Sequence, residues 1–139
     1  MRLSTRSRYA VRALIDLAMH LGEGPVLVRE IADREDISVR YLEQLLLPLK
    51  AAGLVRATRG ANGGFTLAKD PAEVNLREII KIMEGSTAFT ECVDSAEVCS
   101  RSDTCILRSS WIEVTDAANK VMEKTSLQVI VDRQNLKSK

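Results

Sequence analysis

Over residues 38–50, Leu42, Leu45, Leu46 and Leu49 recur at i, i+3, i+4 and i+7, the spacing that puts a stripe on one face of an α-helix. Arg40, Glu43, Gln44 and Lys50 fall on other faces, and Ser38 is a good N-cap. Just upstream, residues 28–33 place Ile31 and Ala32 on a helical face, so two helices meet across residues 34–37. Taken alone, this pair is either a helix-turn-helix or a helical hairpin buried in a core. The next stretch decides between them. After Gly53 the period changes to that of short strands at 54–58 and 65–68, separated by Arg59-Gly60-Ala61-Asn62-Gly63-Gly64, a flexible hairpin turn. A helix-turn-helix followed at once by a glycine-rich hairpin is a winged helix, a far more specific signal than either half.

That architecture points to DNA. The second helix of such a unit lies in the major groove, where Ser38, Arg40, Tyr41 and Gln44 reach bases and phosphates. Arg56 and Arg59 frame the wing; an arginine there enters the minor groove or merely solubilises an exposed hairpin. A first helix is expected over residues 5–21, capped by Ser4, with Ala10, Ala13, Leu14, Leu17, Ala18 and Leu21 on one face and ended by Gly22 and Gly24-Pro25. Arg2, Arg6, Arg8 and Arg12 crowd its N-terminal end against the helix dipole, which suits phosphate neutralisation or simple solvation. Pro48 predicts a bend near Gln44. Asp70-Pro71 closes the unit, and Asn75 caps a short helix ending at Gly85.

The 139 residues suffice for a core without disulfide staples, and the low aromatic content suits a mainly helical protein. With 20 basic and 19 acidic residues, net charge carries no message, although the excess of basic residues lies in the first half. No apolar run is long enough to span a bilayer, and three cysteines argue against a secreted disulfide framework, so the expectation is a cytoplasmic protein with no membrane partner.

Residues 86–104 have neither period nor enough apolar residues for a core and read as a long loop, poorly ordered when empty. Around Cys92, Cys99 and Cys105 it carries Glu91, Asp94, Glu97, Arg101 and Asp103. Thiolates gathered in one segment bind iron–sulfur clusters or zinc; the gaps are wider than those of zinc ribbons, which ranks zinc second. Among acidic neighbours, metal-bound thiolates are a better expectation than free nucleophiles. A catalytic reading fails: the only histidine, His20, sits at a helix end far along the chain, and no base is placed to activate a thiol. From 105 onward, Leu107, Trp111, Val114, Ala118 and Val121 recur in steps of 4, 3, 4 and 3, a narrow seam that a second copy of the helix can cover. The alternative is packing back on the winged helix. Thr125-Ser126 caps a last short helix, with a frayed tail after Gln134.

These residues together resemble the IscR-type regulators, bacterial winged-helix repressors and activators that sense iron–sulfur cluster supply, nitric oxide or cysteine metabolism. The resemblance rests on the opening Met-Arg-Leu-Ser-Thr-Arg-Ser-Arg-Tyr-Ala-Val, on Ser-Val-Arg-Tyr-Leu-Glu-Gln-Leu, on Arg-Gly-Ala-Asn-Gly-Gly-Phe and on the three-cysteine segment. It implies a homodimer whose long C-terminal helices cross, a near-palindromic operator in double-stranded DNA, and operator contacts from Tyr41, Glu43, Gln44 and Arg59. The full candidate set for DNA is Arg2, Ser38, Arg40, Tyr41, Glu43, Gln44, Arg56, Arg59, Gly60 and Asn62. It further implies a cluster, [2Fe–2S] by expectation, on Cys92, Cys99 and Cys105. Two departures stand out. The first cysteine gap is one residue longer than usual, and Arg108 stands where the type member has a histidine three residues after its last cysteine. Nitric-oxide-sensing relatives use an aspartate of the partner's first helix, but Arg8 occupies that position. The fourth ligand is left open among Glu91, Asp94, Glu97, Asp103, a partner residue and solvent. The expected fold is mainly α: a winged helix-turn-helix at 1–85, a sensor loop at 86–104, and a dimerisation helix with tail at 105–139. A cluster-free regulator answering to cysteine metabolism and a metal module that does not bind DNA are the competing readings.

Overall fold

The computed structural model describes residues 2–139. Helix α1 spans Thr5–Met19, α2 Val28–Glu35 and α3 Val39–Ala51; strands β1 (Val55–Thr58) and β2 (Gly64–Leu67) follow, then α4 (Leu76–Glu84), α5 (Glu91–Asp94), α6 (Ile106–Lys124) and α7 (Leu127–Lys137). Short 3-10 turns occupy Pro71–Glu73 and Ala96–Val98. The expected mainly helical winged helix is what the chain forms.

The periodic apolar stripes account for the core. Ala10, Ala13, Leu14 and Leu17 of α1 pack with Ile31 and Ala32 of α2 and with Leu42, Leu45, Leu46 and Leu49 of α3. Helices α1, α3, α4 and α7 begin where an N-cap side chain satisfies an orphan amide. Ser4 Oγ accepts from Ser7 N, Ser38 Oγ from Tyr41 N, and Asn75 Oδ1 from Glu78 N. At α2 the Glu30 carboxylate reaches back to accept from Leu27 N. Several boundaries differ from expectation for local reasons. Helix α1 stops at Met19: its last turn tightens as the His20 N–H is shared between the Asp16 and Leu17 carbonyls, and Gly22 turns the chain away at φ 87°, which leaves Leu21 exposed rather than on the buried face. Helix α2 runs through Arg34 to Glu35, so the helix-turn-helix turn is shorter than expected, with Asp36 in the left-handed region at φ 52°. Helix α3 continues through Pro48 to Ala51.

Arg34 stays helical for a reason the periodicity does not carry. Its guanidinium donates from Nε and Nη2, both at 2.8 Å, to the two carboxylate oxygens of Asp16, and Asp16 is only 4% exposed. A bidentate arginine pair compensates that buried charge and fixes α1 against α2.

Antiparallel β1 and β2 pair Val55 with Leu67 and Thr58 with Gly64. A third segment joins them: Val26 N donates to the Phe65 carbonyl at 2.9 Å and Phe65 N to the Val26 carbonyl at 2.8 Å. Gly64 is required at this crossing, since a Cβ on its φ 147° backbone would collide with the Val26 carbonyl. The wing is thereby anchored to the link between α1 and α2.

Helix α4 is tied to the start of α1. Glu84 accepts from Ser4 N at 2.9 Å, from Ser4 Oγ at 2.6 Å and from Ser7 Oγ. Those bonds, the Ser4 hydroxyl first, hold the Glu84 carboxyl below the usual carboxylate range. The tie is complete above the ordinary carboxylate pKa and weakens as pH falls through the lowered one. Helix α7 also returns to the core: Leu127 and Val131 are buried, Leu127 N donates to the Val74 carbonyl at 2.8 Å, and α7 packs on α1. The chain after Gln134, expected to fray, continues the helix to Lys137. No helix among the described residues is long and apolar enough to cross a membrane.

Candidate functional site

With Leu42, Leu45, Leu46 and Leu49 committed to the core, the 3.6-residue period leaves Arg40, Glu43, Gln44, Leu47 and Lys50 on one exposed face of α3. Ser38 opens this face, its oxygen engaged in the cap. Tyr41 is half-buried, its ring edge-on to Tyr9 at 6.0 Å. Arg56, Arg59, Gly60 and Asn62 are exposed along the adjoining hairpin, and Arg2 is exposed just ahead of α1. Arg12, grouped in the sequence with the basic N-terminal end, is instead committed within the fold: its Nε pairs with Glu35 at 3.1 Å and its guanidinium lies 5.1 Å from the Tyr9 ring centre.

One member of this face escaped the sequence reading. Leu47 is 66% exposed in the middle of the polar side chains and borders a groove of about 510 Å³ shared with Val28, Phe65, Gln44 and Lys50. The four-leucine stripe drew attention to the buried side, while one leucine among the charged positions was the available signal.

The cysteine segment is more structured than the expected loop. Cys92 lies in α5, Cys99 follows the Ala96–Val98 turn, and Cys105 is the N-cap residue of α6. All three are free thiols; Cys99 is exposed, while Cys92 and Cys105 are half-buried. Cys92 Sγ lies 3.2 Å from Thr90 Oγ1, and Arg108 Nε donates to the Cys92 carbonyl at 3.0 Å. Arg108 therefore crosses from α6 to α5 beside the first cysteine and brings a cation that cannot ligate a metal. Among the described residues no group of three or more Cys, His, Asp and Glu side chains is gathered as a metal-binding set. The donor chemistry of three thiols fits a soft metal or an iron–sulfur cluster, with ligation requiring the segment to draw its thiols together. Ser102, buried with its Oγ unpartnered, marks a spot where the local packing leaves a polar group unsatisfied.

On α6, Thr115 and Asn119 face inward, while Leu107, Trp111, Val114 and Val121 are exposed and Ala118 is half-buried. Val121 at 66% exposure is largely uncovered by its own chain, and Trp111 at 38% is partly so. Thus the stripe expected to form a seam points away from the winged domain.

The sequence matches the Rrf2 family, described as "Iron-dependent Transcriptional regulator", over residues 3–133. It is 38% identical to the HTH-type transcriptional regulator IscR of Photorhabdus laumondii over 98% of this chain and 82% of that protein. To the HTH-type transcriptional regulator CymR of Bacillus subtilis it is 37% identical over 92% of this chain and 88% of that one. The fold superposes on the structure of B. subtilis CymR (YrzC), the global cysteine regulator of that organism, with a TM-score of 0.81 at 34% identity, covering 96% of this chain and 98% of that one. On T. potens IscR it superposes with a TM-score of 0.79 at 35% identity, covering 96% and 88%. The chain belongs to the Rrf2 family of transcriptional regulators.

Proposed function

We infer that the protein is a cytoplasmic, homodimeric DNA-binding regulator whose operator affinity is controlled by an iron–sulfur cluster, [2Fe–2S] in type, on Cys92, Cys99 and Cys105. The observation that carries the DNA half is the exposed face of α3 lying beside an exposed basic hairpin. Arg40, Glu43 and Gln44 supply donors and acceptors for base edges, and Leu47 offers the apolar surface that suits a thymine methyl. Arg56 and Arg59, with Gly60 and Asn62 keeping the hairpin tip narrow, reach the neighbouring minor groove, and Arg2 and Ser38 serve the phosphate backbone. A two-fold dimer then reads a near-palindrome with half-sites about one helical turn, or a multiple of it, apart.

Two substitutions separate these roles on the operator. Arg59→Ala is expected to cost on the order of 1–3 kcal/mol of operator binding. Unchanged affinity, with an unchanged circular dichroism spectrum, removes the wing from the interface. Leu47→Ser is expected to reduce discrimination between thymine and uracil at one position of each half-site by about 1 kcal/mol, the scale of one lost methyl contact. Equal discrimination by both proteins at every position places Leu47 off the bases.

For the sensing half, the supporting observation is that every thiol of the chain lies on the segment joining α4 to α6. When bound, a cluster supplies a redox- and iron-sensitive cross-link among the thiols. The chain does the rest: α4 is held to α1 through Glu84, and Arg108 ties α6 to the Cys92 carbonyl, so a change in the segment bears on both the winged domain and the dimer helix. With Arg108 excluded as ligand, the fourth position falls to Glu91, Asp94, Glu97, Asp103, a partner residue or solvent. Absorption spectra with iron and sulfide counts after anaerobic purification test this half; a protein that holds neither favours the cluster-free reading that the likeness to CymR supports.

A further inference from the structure

Between α4, the start of the cysteine segment and α6 lies a polar cavity of about 270 Å³. Arg77 and Lys81, one helical turn apart on α4, supply its cationic wall, and Asp116 with Asn119 on α6 supplies the opposite one; Asp94 and residues 85–88 close it from the segment side. Two atoms on these walls are unsatisfied. Asn119 is only 9% exposed and its Oδ1 has no donor, while the buried Nε of Arg77 has no acceptor. A buried carbonyl and a buried guanidinium N–H left unpaired each cost free energy that a partner of matching polarity would recover. Neither Lys81 nor Asp116 has an ion-pair partner among the described residues, whereas Arg77 is bound through Nη1 to Glu123 and Asp94 accepts from Ser86 Oγ.

The charge pattern defines the ligand class. The two cations and two carboxylates of the lining cancel, so an ion of one sign is attracted by one wall and repelled by the other. A small dipolar molecule is favoured by both. The volume falls just below the usual range for drug-sized ligand pockets, roomy for an amino acid and too small for a nucleotide. We propose that this cavity binds a free α-amino acid, its carboxylate on Arg77 and Lys81 and its ammonium on Asp116 and the Asn119 carbonyl. The occupant bridges α4 to α6 across the base of the segment carrying Cys92, which makes the site a second effector input beside the thiols.

Thermal unfolding of the full chain, titrated separately with glycine, L-alanine, L-serine, L-threonine and L-glutamine, tests the proposal. At least one of them should raise Tm saturably, as a ligand of the folded state must. Ethylamine and propionate, which each keep one end of alanine, should not. Lys81→Met and Asp116→Asn alter exposed side chains and leave the fold intact; each should weaken the apparent affinity about tenfold or more, the scale of one charge-assisted hydrogen bond. The proposal is overturned if no amino acid of the panel gives a saturable rise into the millimolar range, if ethylamine or propionate matches the amino acids, or if both variants retain the wild-type affinity.

Discussion

Trp111→Glu is expected to convert the proposed dimer to a monomer and to remove operator binding at concentrations where the unaltered protein is saturated. Trp111 sits second of a turn-by-turn series on α6 with Leu107 before it and Val114, Ala118 and Val121 after it, and its own chain leaves it 38% exposed. In a two-fold seam the same substitution occurs on both protomers, so it buries a carboxylate from each in the apolar contact. An unpaired buried charge costs about 3–5 kcal/mol, equivalent to a weakening of the dimer by more than about 100-fold. The winged domain should be untouched, because its core is closed by α1, α3, α4 and α7 without Trp111. Sedimentation or light scattering gives the mass, and circular dichroism gives the fold. Lys120→Ala, exposed on another face of α6, serves as the control. A Trp111→Glu protein that keeps dimer mass and operator affinity shows that the seam lies elsewhere.

The parts of this molecule that were legible in its sequence are those governed by local rules. The stripe of α3, the Ser4, Ser38 and Asn75 caps and the glycine-rich turn each depend on residues within a few positions of one another, and each stands where expected. What escaped depends on partners distant in the chain. Arg34 read as a turn residue because nothing nearby announces that Asp16, across the α1 to α2 link, needs its charge. The pairing of Val26 with Phe65 joins a residue beside a Gly-Pro turn to the wing, and a single bridge leaves no strand-like period. The inward face of α6 escaped because Thr115 and Asn119 are polar, and polarity pattern alone assigns such residues to solvent. At the cysteines, their presence, order and odd spacing were legible, whereas the short α5 turn and the Arg108 hold on the Cys92 carbonyl are products of packing between segments.

Replacing Cys92, Cys99 and Cys105 together with alanine is expected to leave a folded dimer whose operator affinity is the same under iron-replete reducing and iron-depleted oxidising conditions. The substitutions should be structurally mild: none of the three is fully buried, none is in a disulfide, and the core is built entirely from other residues. Their effect lies in coupling. The segment they occupy runs from Gly85, which ends α4, to Cys105, which starts α6, and α4 is held at Glu84 to the first turn of α1. On the proposed cluster reading, drawing the thiols together would change how α4 and α6 are tied, and in a dimer this would bias the spacing of the two α3 helices. Only a difference in thiol-ligand affinity between two DNA-binding conformations can move that balance, and couplings of this kind amount to roughly 1–3 kcal/mol, or about 5–150-fold in operator affinity. The unaltered protein should show that range and the triple variant none, as read by fluorescence anisotropy on labelled operator under anaerobic and oxidised conditions. Single variants sharpen the assignment. Cys99→Ala, at the exposed thiol, should remove the response as fully as the triple change if all three act as one ligand set. A triple variant that still switches with iron supply transfers the sensing role away from the thiols and leaves the cluster-free regulator as the reading of this chain.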